Sequence, residues 1–334
     1  MKSDKQPDAA KDSTSNGPLT GLARRVTSVF FIERGGDEFA GPLTELTSRI
    51  TEPFCEIGKN LRANLDGLLS VVSMPFQLAN RSSVGHHWQR IHNSKRILSL
   101  ITQAEENETK EALESRREKE ALASAQREMD QFVHSAEGQD FITRDTLHFL
   151  ATLSSDASMA TAAEELTLQG LVLCRGALEV LCRDCFIAHL NLNPDRVLAL
   201  VDDPVSKRRF ELSKISLETL SAHDFDLSGS MGTILAAQQD LSDVYSIKVV
   251  FQALFPSNDA LRDALNDTDL RILSLRRNLI VHRRGIIDPA YATATKCPRL
   301  IGQRIKLEPN DLKVHLTTAM RTATVILEAA AKPV

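Results

Sequence analysis

Five arginines, an asparagine and a histidine lie within one short apolar run of this sequence. The run is R-I-L-S-L-R-R-N-L-I-V-H-R-R-G, residues 271–285, and it contains no acidic residue. Clustered cations beside buried apolar surface are unfavourable unless an anion or a carboxylate offsets their charge. A bound phosphate group meets that requirement, so the residue types indicate a phosphate-binding site. The alternative is a set of arginines paired with acids elsewhere in the fold.

The spacing of the run predicts a helix from about Thr268 to Arg284, with aspartates 267–269 available as N-caps. At 100° per residue a broad apolar arc forms, so we expect the helix to be largely buried. Its members are Ile272, Leu273, Leu275, Leu279 and Ile280. Asn278 and His282 are four residues apart, where the amide can orient the imidazole. Arg277 lies about 140° from His282 around a straight helix. Two copies facing across a twofold axis can bring the pair together, whereas one helix cannot.

Composition limits the functions that this chain can have. The 334 residues carry a formal charge of −4, which excludes a uniformly basic nucleic-acid-coating protein, so any nucleic-acid contact must be local. Aromatic residues make up only 5%, which together with many Leu, Ala and Glu favours helices over sheets. Five cysteines, an odd number, do not indicate a disulfide framework. With no long apolar run and no leader-like N-terminus, we expect a cytoplasmic protein without a membrane partner.

The chain divides by pattern into three parts. Residues 1–40 are expected to be a disordered polar tail with a short hook or strand near Val26–Glu33. Residues 41–138 predict an N-terminal helical region that includes one long charged helix, Val84 to about His134, exposed or forming a coiled-coil partner surface. Residues 139–334 predict an all-α domain. Its apolar helices span Ala157 to about Leu192, Leu241–Phe255, Asp259–Leu265 and a last helix, capped by Asn310, that ends near Ala331. The stretch R-L-I-G-Q-R-I-K-L, 299–307, predicts a small β-hairpin or extended arm.

The sequence gives little support for the common catalytic or metal-binding motifs. The sequence has no G-x-G-x-x-G, Walker lysine loop, H-E-x-x-H or G-x-S-x-G. Cys182, Cys185 and His189, with Cys174, fall on one helical stripe and resemble part of a zinc site. The stripe lies in an apolar segment and no second cluster is evident, which favours buried thiols that pack against a neighbour. We therefore predict no metal and no cofactor.

The motif on the arginine-rich helix resembles a known family. Arg277-Asn278-Leu279-Ile280-Val281-His282 matches the R-N-x-x-x-H form of the R-x(4-6)-H motif of the HEPN superfamily, all-α domains that commonly act as metal-independent RNA endonucleases. The wider run R-R-N-L-I-V-H-R-R-G-I-I-D-P-A-Y, the segment A-L-E-V-L-C-R-D-C-F-I-A-H-L at 177–190 and the arm before the last helix are similar to that family too. The resemblance covers about residues 157–331 and implies a HEPN-like helical bundle. The N-terminal half has no counterpart in it.

The resemblance implies roles for individual residues. His282 becomes the general acid or base, Arg277 the group that holds the scissile phosphate, and Asn278 a residue that orients the site. Arg276, Arg283 and Arg284 are expected to bind RNA phosphates. The site forms in a homodimer, needs no metal and leaves a 2′,3′-cyclic phosphate. Glu179, on an earlier helix, either joins this site or is simply an exposed acid.

One departure from the family concerns regulation. Relatives paired with a nucleotidyltransferase antitoxin often carry a tyrosine two positions after the histidine, whereas this chain has Arg284 there. That route of regulation is therefore not expected.

These observations leave three functions open. The first is a homodimeric ribonuclease in bacterial defence, stress response or toxicity, whose N-terminal helices serve as a surface for a regulatory protein partner. The second is a catalytically inactive HEPN-like module for dimerisation and RNA binding. The third is a structural scaffold, which predicts that Arg277 is paired with a carboxylate of the same chain.

Overall fold

The computed structural model describes residues 18–32, 37–106, 108–210, 216–238 and 241–332. These residues form sixteen α-helices and no named β-strand, which confirms the predicted all-α class. The helices are α1 (Pro18–Thr27), α2 (Asp37–Thr47), α3 (Phe54–Val72), α4 (Met74–Ser99), α5 (Lys110–His134), α6 (Ala136–Leu153), α7 (Ala157–Leu192), α8 (Val197–Asp202), α9 (Pro204–Phe210), α10 (Leu217–Ala222), α11 (Met231–Gln238), α12 (Val244–Leu254), α13 (Asp259–Leu265), α14 (Thr268–Arg283), α15 (Pro289–Ala294) and α16 (Pro309–Ala331).

The chain folds into two compact units that do not follow the predicted boundaries. The first unit comprises the described residues within 1–28 and 76–157, and the second comprises those within 29–75 and 158–334. The predicted division at 40/41 and 138/139 therefore separates helices that pack together. The physical reason is that α2 and α3 bury their apolar faces on α16, far along the chain. In the first unit, α6 packs against α1 and α5.

In the first unit, the predicted single helix from Val84 to His134 is wrong. The chain leaves α4 after Ser99 and starts α5 at Lys110, where the Thr109 side chain accepts a hydrogen bond from the Ala112 amide. Some of the predicted pairs along one helix form, such as Arg116 with Glu120 in α5. Other charges join the two helices, as in the ion pair of Lys95 with Glu128 at 2.5 Å. A small apolar cluster of Ile91, Ala125 and Met129 lies beneath these charges.

The second unit is organised around α7, whose observed bounds match the predicted ones. Its buried side chains form part of one core with residues of α3, α12, α14 and α16. A Cβ atom on Gly170 would lie 2.4 Å from Val72 Cγ1 of α3 and 2.9 Å from Leu312 Cδ2 of α16. The three helices therefore pack so closely at Gly170 that no side chain fits between them.

The predicted hairpin at 299–307 is absent. Instead, Ile286 and Arg304 form an isolated antiparallel bridge, so the arm pairs with the segment that follows α14. The next helix also starts differently from the prediction, because Glu308 is the N-cap of α16, in a capping box with Asp311, and Asn310 is not. Pro309 at the first helical position has no amide hydrogen to satisfy, which suits this earlier start.

The predicted tail is partly helical. Residues 1–17 and 33–36 lie outside the described ranges, but Pro18–Thr27 form α1 and a turn follows over 28–30. The described part of the hook, residues 26–32, contains no strand; Phe30 and Phe31 there are buried. Of the helices formed by the described residues, none combines the length and apolar character needed to span a membrane.

Candidate active site

The motif helix α14 has well-defined ends. Asp267 caps its start by accepting a hydrogen bond from the Asp269 amide, as the sequence predicts. At its end, Arg284 (φ 52°) and Gly285 (φ 77°) adopt left-handed backbone conformations, and the Gly285 amide donates to the Leu279 carbonyl at 2.8 Å. A left-handed conformation favours glycine, and a Cβ here would also approach Ile305 Cγ2 to 3.0 Å. This turn fixes where the chain leaves the helix after His282.

Only one side of α14 is buried. Leu270, Leu273 and Leu279 lie in the core, and Ile272, Leu275 and Ile280 are half-buried. The opposite side is exposed and consists of Arg271, Asn278, Val281 and His282. The prediction of a largely buried helix is therefore wrong for α14 as a whole: of the five residues of the predicted arc only Leu273 and Leu279 are fully buried, and Asn278 and His282 face solvent.

Arg276 points into the protein. Its Nη1 lies 2.8 Å from His315 Nε2 and 3.3 Å from Asp311 Oδ1, and its Nε donates to the Tyr291 hydroxyl at 3.3 Å. Burial, followed by the charge of Arg276, lowers the pKa of His315 to about 4. The neutral imidazole can therefore accept a hydrogen bond from the guanidinium. Because Asp311 already offsets its charge, this placement does not support the predicted phosphate contact of Arg276.

Arg277 and Asn278 form a pair on the other side of the helix. Arg277 Nη1 donates to Asn278 Oδ1 at 3.2 Å, so the amide orients the arginine and not His282 as expected. Arg277 is half-buried, and within the described ranges no carboxylate forms an ion pair with it. The scaffold hypothesis, which requires such a carboxylate, has no support here. Arg277 therefore keeps a positive charge that an external anion can meet.

His282, Arg283 and Arg284 are exposed at the end of α14. Among the residues that the structure describes, His282 has no hydrogen-bond partner. Arg283 Nε lies 3.4 Å from Asp288 Oδ2, a mostly solvent-screened pair that leaves the guanidinium accessible. Within the described ranges, no hydrogen bond joins Arg277 and His282 of one chain.

A buried arginine that the sequence reasoning missed supports α14 from behind. Arg175 of α7 is 1% exposed; its Nε donates to Ser274 Oγ at 3.0 Å and its Nη2 to the Ser242 carbonyl at 2.5 Å. Its Nη1 lies 3.7 Å from Glu179 Oε2. Burial lowers the pKa of Arg175, and the nearby charge of Arg277 lowers it further. A lone arginine in an apolar helical stripe was the signal for this contact.

The cysteines of α7 belong to the core. Cys174, Cys182 and Cys185 are buried, and burial raises the pKa of the Cys174 and Cys182 thiols to about 12. His189 Nδ1 lies 3.1 Å from the Ala330 carbonyl of α16. These environments agree with the packing interpretation of the stripe. The residues in the described ranges include no group of three or more ligand-type side chains placed to hold a metal ion.

No family model matches the chain, and comparisons with curated proteins and with solved structures gave no significant match. The resemblance to HEPN domains therefore rests on the residues of the motif and its flanking segments alone.

Proposed function

We propose that this chain is a metal-independent RNA endonuclease of HEPN type that acts as a homodimer. One observation carries the proposal. Arg277, fixed by Asn278 and without a carboxylate in the described ranges, lies little more than one turn before the exposed His282 at the end of a helix in an all-α unit. A fixed guanidinium and an accessible imidazole are the two groups that metal-free RNA cleavage needs.

The chemistry follows from these two groups. The imidazole of His282 takes the proton of the RNA 2′-hydroxyl or gives one to the leaving 5′-oxygen. The 2′-oxygen forms a bond to phosphorus as the bond to the 5′-oxygen breaks, which leaves a 2′,3′-cyclic phosphate. Arg277 binds the phosphate oxygens and offsets the charge that develops on them. DNA lacks the 2′-hydroxyl and is not cleaved.

A twofold dimer solves the geometric problem of α14. Arg277 and His282 lie about 140° apart around the helix, and the hydrogen bond that Arg277 makes is to Asn278. In a dimer whose α14 helices face each other, Arg277 of one copy meets His282 of the other. The exposed Val281, between Arg277 and His282 in the chain, is an apolar contact for such a face.

A non-cleaving module for dimerisation and RNA binding is the alternative. It is favoured by the solvent-exposed His282, which has no orienting hydrogen bond among the described residues. A general base is usually held in place by a second group. This alternative predicts that RNA binds, that binding weakens with salt, and that His282 is dispensable.

Cleavage of mixed tRNA and of single-stranded RNA in EDTA tests the proposal. We expect the wild-type protein to give fragments with 2′,3′-cyclic ends and His282→Ala to give none. His148→Ala, an exposed histidine of α6 in the first unit, is the matched control and should cleave like wild type. Circular dichroism of all three proteins excludes unfolding as the cause. Cleavage by folded His282→Ala contradicts the proposal.

The cellular role that we propose is bacterial defence, stress response or toxicity, with the first unit as a surface for a regulatory protein. The tip between α4 and α5 supports that surface, because Ile97, Leu98, Leu100 and Ile101 are 54–81% exposed there. Exposed aliphatic clusters of this kind are typical of protein contacts. Expression of the wild-type chain in bacteria should slow growth, and expression of His282→Ala should not.

A further inference from the structure

The segment after α14 is strongly basic although the chain as a whole is acidic. From Arg276 to Lys306 the sequence has eight lysines and arginines against one acid, Asp288, in a protein of formal charge −4. Five of the eight lie outside the motif helix: Arg284 directly after it, and Lys296, Arg299, Arg304 and Lys306 further on. We call residues 296–306 the basic arm. Its charge is local and therefore forms a field over one part of the second unit.

The cations of the basic arm face solvent. Lys296, Arg299 and Lys306 are exposed, and among the described residues none of the three forms an ion pair. Arg304 and Lys306 alternate with the buried Ile305 and Leu307, so both lie on the outer side of an extended segment. Arg304 is held in place by Glu165 of α7. The end of the arm is therefore anchored in the core by Ile305, while its cations remain on the outside.

Backbone hydrogen bonds hold the arm next to the end of the motif helix. The Ile305 amide donates to the Gly285 carbonyl at 2.8 Å, and the Ile287 amide to the Gln303 carbonyl at 2.9 Å. Gly285 directly follows Arg283 and Arg284, so the arm continues the exposed basic surface at the end of α14. Leu300 and Ile301, which are 39% and 49% exposed, add apolar surface between the cations.

We propose that the basic arm binds the sugar–phosphate backbone of single-stranded RNA and guides it to α14, with Lys296, Arg299 and Lys306 as phosphate contacts. The inference rests on the proposed function because it takes RNA as the ligand. A row of unpaired cations beside exposed apolar surface suits a strand whose bases are not paired. The arm replaces the partly buried Arg276, which is paired with Asp311, as the source of phosphate contacts.

Two charge-matched variants test the arm. The first is Lys296→Gln/Arg299→Gln/Lys306→Gln; the control is Lys110→Gln/Lys119→Gln/Arg127→Gln on the exposed side of α5, which removes the same charge. Both are made in the His282→Ala background so that cleavage does not interfere, and the Kd for a fluorescent single-stranded RNA is measured over a series of KCl concentrations. We expect the arm variant to bind tenfold to about a hundredfold more weakly, with the slope of log K against log salt reduced by about 2, since each lost contact removes about 0.7. The control should bind like its parent.

Equal affinity of the two variants overturns the inference. Binding of both variants to vesicles of phosphatidylserine and phosphatidylcholine is measured in parallel. If the arm variant loses vesicle binding while its RNA binding is unchanged, the inference is overturned in favour of a membrane surface. Failure of the proposed function has a different signature. Arm-dependent RNA binding by a wild-type protein that never cleaves RNA rejects the nuclease and keeps the arm. For the reverse case, the three arm substitutions are also made with His282 intact: cleavage that requires His282 but is unchanged by these substitutions keeps the nuclease and rejects the arm.

Discussion

Arg276 and Arg277 are neighbours in the chain, yet their guanidinium groups have opposite environments. Arg276 lies 2.8 Å from His315 Nε2 and 3.3 Å from Asp311 Oδ1 in the interior of the second unit. Arg277 contacts the amide oxygen of Asn278 at 3.2 Å. Consecutive residues of a helix point in directions about 100° apart. Arg276 therefore serves a structural role, while Arg277 remains able to bind an anion. Substitution of the two residues should therefore have different consequences.

Arg276→Ala should destabilise the fold, and Arg277→Ala should not. The first change leaves Asp311 and His315 without their partner in a partly buried site, which costs about 1–3 kcal/mol. The second removes one neutral contact and should stay within about 0.5 kcal/mol of wild type. Urea unfolding followed by circular dichroism measures both. A large loss of stability in Arg277→Ala would mean that this side chain is part of the scaffold.

The buried His315 should make stability fall in mild acid. Its pKa is lowered from 6.5 to about 4 by burial and by Arg276, while Asp311 acts in the opposite direction. Between pH 6.5 and 4 the unfolded chain binds a proton that the folded chain does not, so stability decreases as the pH falls through this window. Above pH 6.5 this group contributes no pH dependence. The total loss is on the order of 3 kcal/mol.

Unfolding free energies of wild type and His315→Gln from pH 7.5 to 4.5 check this expectation. Glutamine can still accept a hydrogen bond from Arg276 but does not titrate, so the curve should become flatter. Burial also lowers the pKa of His189. The unfolding free energy of His315→Gln should therefore still decrease as the pH falls, but less steeply than that of wild type. Parallel curves for the two proteins contradict the assignment to His315.

Substitution of two glycines of α7 by alanine should have opposite effects on stability. A Cβ at Gly170 meets Val72 Cγ1 at 2.4 Å, so Gly170→Ala overpacks the core and should cost about 1–3 kcal/mol. Gly176 has open space at the same position, and Gly176→Ala should stabilise the helix by about 0.5–1 kcal/mol. Thermal unfolding of the two variants gives the comparison. A similar Tm for both would show that α3 and α16 do not press on α7 at Gly170.

Glu179 should prove structural. Its carboxylate lies 3.7 Å from the buried Arg175, whose Nη1 has no hydrogen-bond partner among the described residues. Glu179→Gln weakens the compensation of a buried cation and should lower the unfolding free energy by about 1–3 kcal/mol. The rate of RNA cleavage by the folded variant at saturating substrate should stay close to wild type. A large fall in that rate with unchanged stability would place Glu179 in the active site.

Local periodicity was sufficient to predict the bounds of three helices of the second unit. The bounds of α7 and α13, and α14 to within one residue, follow from apolar spacing and from caps such as Asp267. The break at Ser99 escaped the same reasoning, because helix-favouring residues continue through it and the decisive contacts are between helices, as with Lys95 and Glu128. Of the two alternatives predicted for 299–307, the hairpin is wrong and the extended arm agrees with the structure, because Arg304 pairs with Ile286, 18 residues earlier, and not across a tight turn.

The candidate site was predictable only in part. The motif located Arg277, Asn278 and His282 on the end of one helix, and the helical angle showed that Arg277 and His282 diverge. The sequence did not reveal that Arg276 is engaged by Asp311 and His315, since these lie 35 and 39 residues further on. Arg175 is a similar case, because its contact with Ser274 spans 99 residues.

Mixing two inactive variants tests whether the site is shared between copies. In the proposed dimer, Arg277 of one chain acts with His282 of the other, so Arg277→Ala and His282→Ala are each inactive alone. After co-refolding, mixed dimers contain one intact pair, formed by the Arg277 of one chain and the His282 of its partner. Random assembly makes half of the dimers mixed with one of two sites intact, so roughly a quarter of wild-type cleavage should return. Activity that stays at zero, although light scattering shows dimers and mass spectrometry shows mixing, means that both residues must come from the same chain.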